Sequence, residues 1–229
     1  MGRPKAKAGN PAGLSDLTLD ELRPLLAAQI AASAMFDGWS DTALLDAAEG
    51  TGIDPDVARL AFPGGSIDMI EAWIATIDAA MVMALPAEKL ATMKVRDRIR
   101  AQVVFRLEAM AGLEESLRRA HSVMAMPQNL HRALAIGWRS ADLMWRQAGD
   151  TTTDYNHYTK RTLLGGIYAA TLAVFVDDDS EGESATHAFL DRRIEGVMRF
   201  EKAKARLLDP QREHFSVVRF LGRLRYPAR

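Results

Sequence analysis

The 229-residue chain contains no cysteine. That excludes disulfides, Cys-ligated zinc, iron–sulfur clusters and thiol nucleophiles, and fits a reducing compartment. No apolar run approaches the roughly 18 residues of a spanning helix. The start, Met-Gly-Arg-Pro-Lys-Ala-Lys-Ala, lacks the apolar stretch of a signal peptide, and Ala6 stands where a myristoylation signal needs Ser or Thr. Neither sign of charge dominates, since 29 Lys and Arg against 30 Asp and Glu leave −1. A surface coated for nucleic acid is therefore not expected. Catalytic signatures are also missing. There is no G-x-S-x-G and no Walker loop, and Gly50-Thr51-Gly52 lacks both a third glycine and a preceding strand. Di-iron bundles need paired Glu-x-x-His motifs. None of the five histidines follows a Glu by three, and only Asp154-Tyr-Asn-His157 comes near. The expectation is a non-enzyme with no metal and no cofactor.

What is abundant is alanine, at 37 residues, in a chain that is 48% hydrophobic and 26% charged. Alternating β-branched residues are scarce, so helical propensity runs from end to end and an all-α fold is expected. Gly38, Ser40 as an N-cap, Gly50-Thr51-Gly52 and Asp54-Pro55 cut out three short helices at roughly 19–36, 41–49 and 55–61. Ser66 then caps a longer helix in which Ile67, Ile70, Trp73, Ile74 and Ile77 keep helical spacing as far as Pro86. Further helices read at about 94–110, 112–125, 128–148, 154–177, 184–208 and 210–225. The expected organisation is a flexible arm (1–18), a helix-turn-helix unit (19–65), a helical body (66–208) and a separate C-terminal helix (209–229).

Residues 30–62, with Ala31-Ala32, Met35-Phe36, Gly38-Trp39, Gly52-Ile53 and Leu60-Ala61-Phe62, resemble the helix-turn-helix of the TetR repressors, and the long helix and body after it extend the likeness. Binding electrostatics point the other way. Between Ser40 and Ile70 the acids are Asp41, Asp46, Glu49, Asp54, Asp56 and Asp68, with Arg59 as the only base, a local charge of −5. DNA affinity comes largely from cations that neutralise phosphates. The Lys that in the TetR pattern follows the aromatic ending the third helix is absent from Pro63-Gly64-Gly65-Ser66. The expectation is a degenerate unit that does not bind nucleic acid. The alternative is a ligand-responsive transcriptional regulator that uses Arg59 and the basic N-terminal arm.

The densest cluster of unusual residues runs from Asp142 to Arg161, a helix end stopped by Gly149 and a new helix capped by Asp154. It gathers Met144, Trp145, Tyr155 and Tyr158, the residue types of a protein-binding hot spot, although such a corner can equally be core. The run Met144-Trp145, Ala148-Gly149-Asp150, Thr153-Asp154-Tyr155-Asn156 and Tyr158-Thr159-Lys160-Arg161, followed by Leu164, Ile167-Tyr168 and Thr171, resembles the COQ9 family of ubiquinone-biosynthesis proteins. Phe189-Leu190-Asp191-Arg192-Arg193-Ile194 continues the match. This resemblance implies a TetR-like fold that binds isoprenoid lipid and serves the di-iron demethoxyubiquinone hydroxylase. It places the hydroxylase-binding surface on Asp142, Met144, Trp145, Asp154, His157, Tyr158 and Arg161. His157 stands where eukaryotic members carry Trp.

Met residues suit a cavity for a long apolar tail and suit an ordinary core equally. Phe105, Met110, Met124, Leu134, Trp138, Leu164, Ile167, Tyr168 and Thr171 are the candidate lipid-lining residues. Gly165-Gly166 suggests a kink, a close helix approach or a ligand wall inside the 154–177 helix. In 210–225, Val217, Val218, Phe220, Leu221 and Leu224 share one face, while Arg212, Ser216, Arg219 and Arg223 share the other. Such a cationic amphipathic helix suits an anionic membrane surface, and docking on its own domain is the alternative. Arg192 to Arg229 hold 11 bases against four acids. The combined expectation is a lipid-binding accessory protein in a bacterial cytoplasm, peripheral to the inner membrane, and homodimeric through its final long helices as the TetR-like fold suggests.

Overall fold

The computed structural model describes residues 17–151 and 155–207. They fall within two compact units, Met1–Asp191 and Arg192–Arg229.

In the first unit, α1 (Leu19–Asp37) begins with a capping box, in which the Thr18 hydroxyl accepts from the Glu21 amide and the Glu21 carboxylate accepts from the Thr18 amide at 2.8 Å. It buries Leu22, Leu26, Ala27, Ile30, Ala31 and Ala34 at helical spacing, and Gly38, at φ +69, ends it. Helix α2 (Asp41–Thr51) is capped by Ser40 and α3 (Pro55–Ala61) by Asp54. The sequence suggested a stop near Glu49, but α2 continues through Gly50 and Thr51. The Thr51 hydroxyl donates to the Ala47 carbonyl at 2.8 Å, and the left-handed residue that ends the helix is Gly52.

Helix α4 (Ser66–Ala84) is capped by the Gly65 backbone, not by Ser66. The Ser66 hydroxyl instead donates to the Trp39 carbonyl. A short α5 (Ala87–Ala91) follows Pro86, where the sequence indicated only an end. Pro86 is extended and serves as its N-cap. Then come α6 (Val95–Glu108), α7 (Glu114–Met124), α8 (Leu130–Gln147) and α9 (Tyr155–Phe175). A 3-10 turn at Glu181–Glu183 leads into α10 (Ser184–Leu207). Helix α9 runs unbroken through Gly165-Gly166, and a Cβ at Gly165 would lie 4.0 Å from Ala141 of α8, an ordinary contact, so the packing there does not require glycine.

Helix α1 packs on α2, α3, α4 and α7, α4 packs on α6, α7 and α8, and α8 packs on α9. Alanines at zero exposure in α1 and α2 allow the close approach of these helices. Three polar tethers fix the helix-turn-helix to the body. Trp39 Nε1 donates to the Ser116 carbonyl at 2.9 Å, Ser116 Oγ donates to the Ala31 carbonyl at 2.6 Å, and Ser66 holds Trp39 as above. The Trp39 and Trp73 rings lie 5.4 Å apart beneath them. No described helix is long and apolar enough to cross a membrane.

Candidate functional site

The DNA-reading surface of a helix-turn-helix would be displayed by α3, and here its one cation is already occupied. Arg59 reaches Asp41 at 3.0 Å and Asp56 at 3.1 Å. The hydrogen bond it donates to Asp41 is the main reason its guanidinium is held above the usual arginine range. Phosphate would have to displace two carboxylates to reach it, against the repulsion of Asp46, Glu49 and Asp54 on the surrounding surface.

The corner between α8 and α9 is built around a buried charge. Arg161 is 2% exposed, and its Nε and Nη1 bind Asp142 at 2.5 Å and Asp150 at 3.0 Å. Burial works against its charge, yet the hydrogen bonds it donates to Asp142 and Asp150 prevail and hold the guanidinium above its ordinary range. Asp142 also takes Arg146 at 2.8 Å, and Asp150 takes Lys160 at 2.6 Å. Trp145 Nε1 donates to the Lys160 carbonyl at 2.9 Å, while the Lys160 ammonium sits 5.4 Å from the Trp145 ring centroid. The chain turns here at Gly149, φ +87, where a Cβ would lie 3.1 Å from the Arg98 guanidinium. Arg98 itself donates to the Ala148 carbonyl at 2.7 Å.

This network displays an aromatic cluster. Tyr158 is 61% exposed and lies 5.9 Å from Trp138 and 5.1 Å from His157, ring to ring. Leu134, one turn from Trp138 on α8, is 68% exposed. Of the residues assigned to partner contact, Tyr158 is exposed and Trp145 and His157 are half-buried. Met144 and Arg161 are buried, and Asp142 is mostly so, which leaves them to hold the display in place. Asp154 lies outside the described residues.

The nine candidate lipid-lining residues are not brought together into a single cavity wall. Met110, Leu164, Tyr168 and Thr171 are buried in the core, the last with its hydroxyl bonded to the Ile167 carbonyl. Tyr168 lies under the Arg106 guanidinium at 4.8 Å, and Arg106 in turn pairs with Asp78. Phe105, Met124, Trp138 and Ile167 are half-buried, and Leu134 is on the surface. A cleft of about 740 Å³ lies elsewhere, between α1 and α4, with Pro24, Ala72, Ala75, Ala79, Ala80 and Met83 along it. Its charged rim is formed by the Asp20–Arg23 pair and by Arg132 bound to Asp68 and Glu71. Helical spacing on α4 picks out Ile67, Ile70, Trp73, Ile74 and Ile77, and nothing in it reveals that a row of alanines stays uncovered. The residues assigned to membrane contact, Arg212 to Leu224, lie outside the described residues. Among the described residues no group of three His, Asp or Glu is placed to hold a metal.

Comparison with known proteins meets this geometry at the corner. Residues 130–201, which contain α8, the corner and α9, match the COQ9 family model. Curated relatives named ubiquinone biosynthesis protein COQ9, mitochondrial, include those of rat, 32% identical over 168 residues, and human, 29% identical over 168 residues, each alignment covering 70% of this chain. The alignments cover 54% and 52% of those two proteins, so the chain spans about half the length of the curated relatives it matches. The fold that holds the matched stretch is TetR-like. A TetR transcriptional regulator from Nitrosomonas europaea superposes with a TM-score of 0.63 at 20% identity, over 78% of this chain and 98% of that one.

One expectation is overturned. The sequence suggested a bacterial cytoplasmic protein peripheral to an inner membrane, but the curated COQ9 relatives, from mammals to fission yeast, are named as mitochondrial. The inference rested on the first residues of a chain that spans only part of its relatives, and those residues do not decide a compartment.

Proposed function

We propose that the protein is a non-enzymatic accessory factor of ubiquinone biosynthesis. In this reading it acts as a homodimer, binds an isoprenoid quinone intermediate and presents it to the di-iron demethoxyubiquinone hydroxylase. The observation that carries the proposal is the α8–α9 corner, where the part of the chain matching COQ9 coincides with a cluster of exposed Tyr158 and half-buried Trp138 and His157, held by a buried ion network. Exposed aromatics on a rigid scaffold are what a protein partner buries. The cationic segment 209–229 would seat the protein on an anionic membrane, where such ligands reside. A regulator reading is disfavoured because Arg59 is neutralised by Asp41 and Asp56.

The test is organic extraction of the purified full chain followed by mass spectrometry. A polyprenylated ring compound is the expected product. Recovery of a water-soluble effector, with no isoprenoid in the extract, would overturn the proposal.

A further inference from the structure

The groove between α2 and α3 has a volume of about 660 Å³ and an apolar wall made by Leu45, Ala48, Ile53 and Pro55. Three exposed carboxylates, Asp46, Glu49 and Asp54, edge it. Among the described residues Asp46 and Glu49 form no ion pair, and Asp54 accepts only from the Asp56 and Val57 amides as the cap of α3. Arg59, the one base at the groove, is taken by Asp41 and Asp56. The end of α2 adds to the negative charge. A helix C-terminus is partially negative and favours a cation in its last turn, yet the last turn of α2 holds Glu49 and no base. Lys and Arg suit such a groove, because their methylene stems can lie on the apolar wall while their charged ends reach the carboxylates.

The chain itself supplies that chemistry. Residues 1–16 lie outside the described residues, and up to Ser15 they hold Arg3, Lys5 and Lys7 and no acid. The three bases alternate with Pro4 and Ala6, a spacing that puts all of them on one side of an extended segment. The point of attachment is close to the groove. Helix α1 packs on both α2 and α3, and near its start Arg23 Nε donates to the Ala61 carbonyl at the end of α3, at 2.7 Å. The chain between Lys7 and Leu17 can span roughly 33 Å, whereas the seven residues of α3 extend for only about 10 Å. Exposed ion pairs are individually weak, but a tether of this length sets an effective concentration of about millimolar.

We propose that the basic stretch Arg3–Lys7 docks in the α2–α3 groove of its own chain, with its cations on Asp46, Glu49 and Asp54. Docking there supplies the cation that the end of α2 lacks and withdraws the arm from phosphate, so the acidic helix-turn-helix is a seat for the segment that precedes it.

The experiment is paramagnetic relaxation in the full chain. Because the protein has no cysteine, Ala6→Cys gives a single site for a nitroxide spin label. At about 0.05 M salt the amide signals of Asp46, Glu49, Gly52 and Asp54 are expected to lose about half or more of their intensity relative to the reduced label, with no loss along α8. The loss should disappear at about 1 M salt, and also in Ala6→Cys combined with Asp46→Asn and Glu49→Gln. Asp46 and Glu49 are exposed, so that variant should melt with the parent, and the salt series carries the test if it does not. Full intensity at the groove in low salt overturns the proposal, as does a loss that persists in the charge-removed variant. Relaxation seen only when spin-labelled chain is mixed with isotope-labelled chain assigns the groove to the arm of a second copy, against the proposal. If the groove signals ignore the label but shift with an added Lys-rich peptide, the groove takes a separate basic partner and the proposal is wrong.

Discussion

Replacing Arg161 by Met removes the cation at the centre of the α8–α9 corner and leaves two carboxylates facing its former position. Arg161 is 2% exposed, Asp150 5% and Asp142 18%. Breaking such a buried pair from one side typically costs about 3–5 kcal/mol, because the abandoned charge has lost its solvent as well as its partner. Here each carboxylate keeps a second cation, Arg146 for Asp142 and Lys160 for Asp150. Arg146 is 69% exposed and screened by water, so it compensates only weakly. The expected loss is therefore about 2–3 kcal/mol, below the full range for a buried pair. For a domain of this size that corresponds to a fall of roughly 4–12 °C in melting temperature. The assay is thermal unfolding by circular dichroism at pH 7 for Arg161→Met and for the triple variant Arg161→Met, Asp142→Asn, Asp150→Asn. Removing all three charges should recover part of the loss, since the penalty lies in unpaired charge and not in missing contacts. A single variant that melts within about 1 °C of wild type, or a triple variant that melts below the single one, would refute this account of the corner.

The display on that corner is tested by Tyr158→Asp, which should abolish co-purification with the hydroxylase while shifting the melting temperature little, because the side chain is 61% exposed. Retained co-purification would move the interface elsewhere. Deleting residues 210–229 should release the protein from vesicles containing anionic lipid, with less effect in high salt, where attraction is already screened. Unchanged sedimentation with vesicles would exclude the tail as the anchor. Glu71, whose charge is opposed by burial but favoured more strongly by hydrogen bonds from Arg139 and Arg132, lies below the usual carboxylate range. Its contribution to stability is therefore present above its unfolded value of about 4.3 and is lost as pH falls through the folded value. Melting curves between neutral and strongly acidic pH should show a smaller acid loss for Glu71→Gln than for wild type, and parallel curves would remove Glu71 from the acid response.

Local chemistry was readable before the fold was known where the deciding residues lie close together in the chain. Ser40 and Asp54 cap the helices they were expected to cap, and α3 has the limits that Asp54-Pro55 and Phe62 imply. The 142–161 run was recognisable as a unit because its unusual residues are contiguous. The short α5 escaped because a proline can begin a helix as well as end one. Ser66 was misread as a cap because the acceptor of its hydroxyl, the Trp39 carbonyl, is 27 residues away.

Burial is where spacing gave out. Helical periodicity identified apolar residues on α4, α8 and α9 and could not say which of them would be covered. Leu134 and Met144 have the same hydrophobic character in sequence, yet one is 68% exposed and the other fully buried, because the packing of α8 against α4 and α9 selects one side of the helix. The same selection separates the two kinds of residue in the corner motif, which puts Tyr158 in solvent and Arg161 in the interior.

The sequence alone determined the helical character of the described residues, the absence of cysteine chemistry, the acidic charge of the helix-turn-helix and the run that matches the COQ9 family model, because each depends on residue type and short-range order. Only the tertiary structure decided that Arg59 is bound by Asp41 from another helix, that Arg161 closes a network reaching back to Asp142, and that the uncovered row of α4 forms a cleft with α1. Ion pairs and cavities of this kind arise between segments distant in the chain, and their existence depends on which faces the packing leaves in contact.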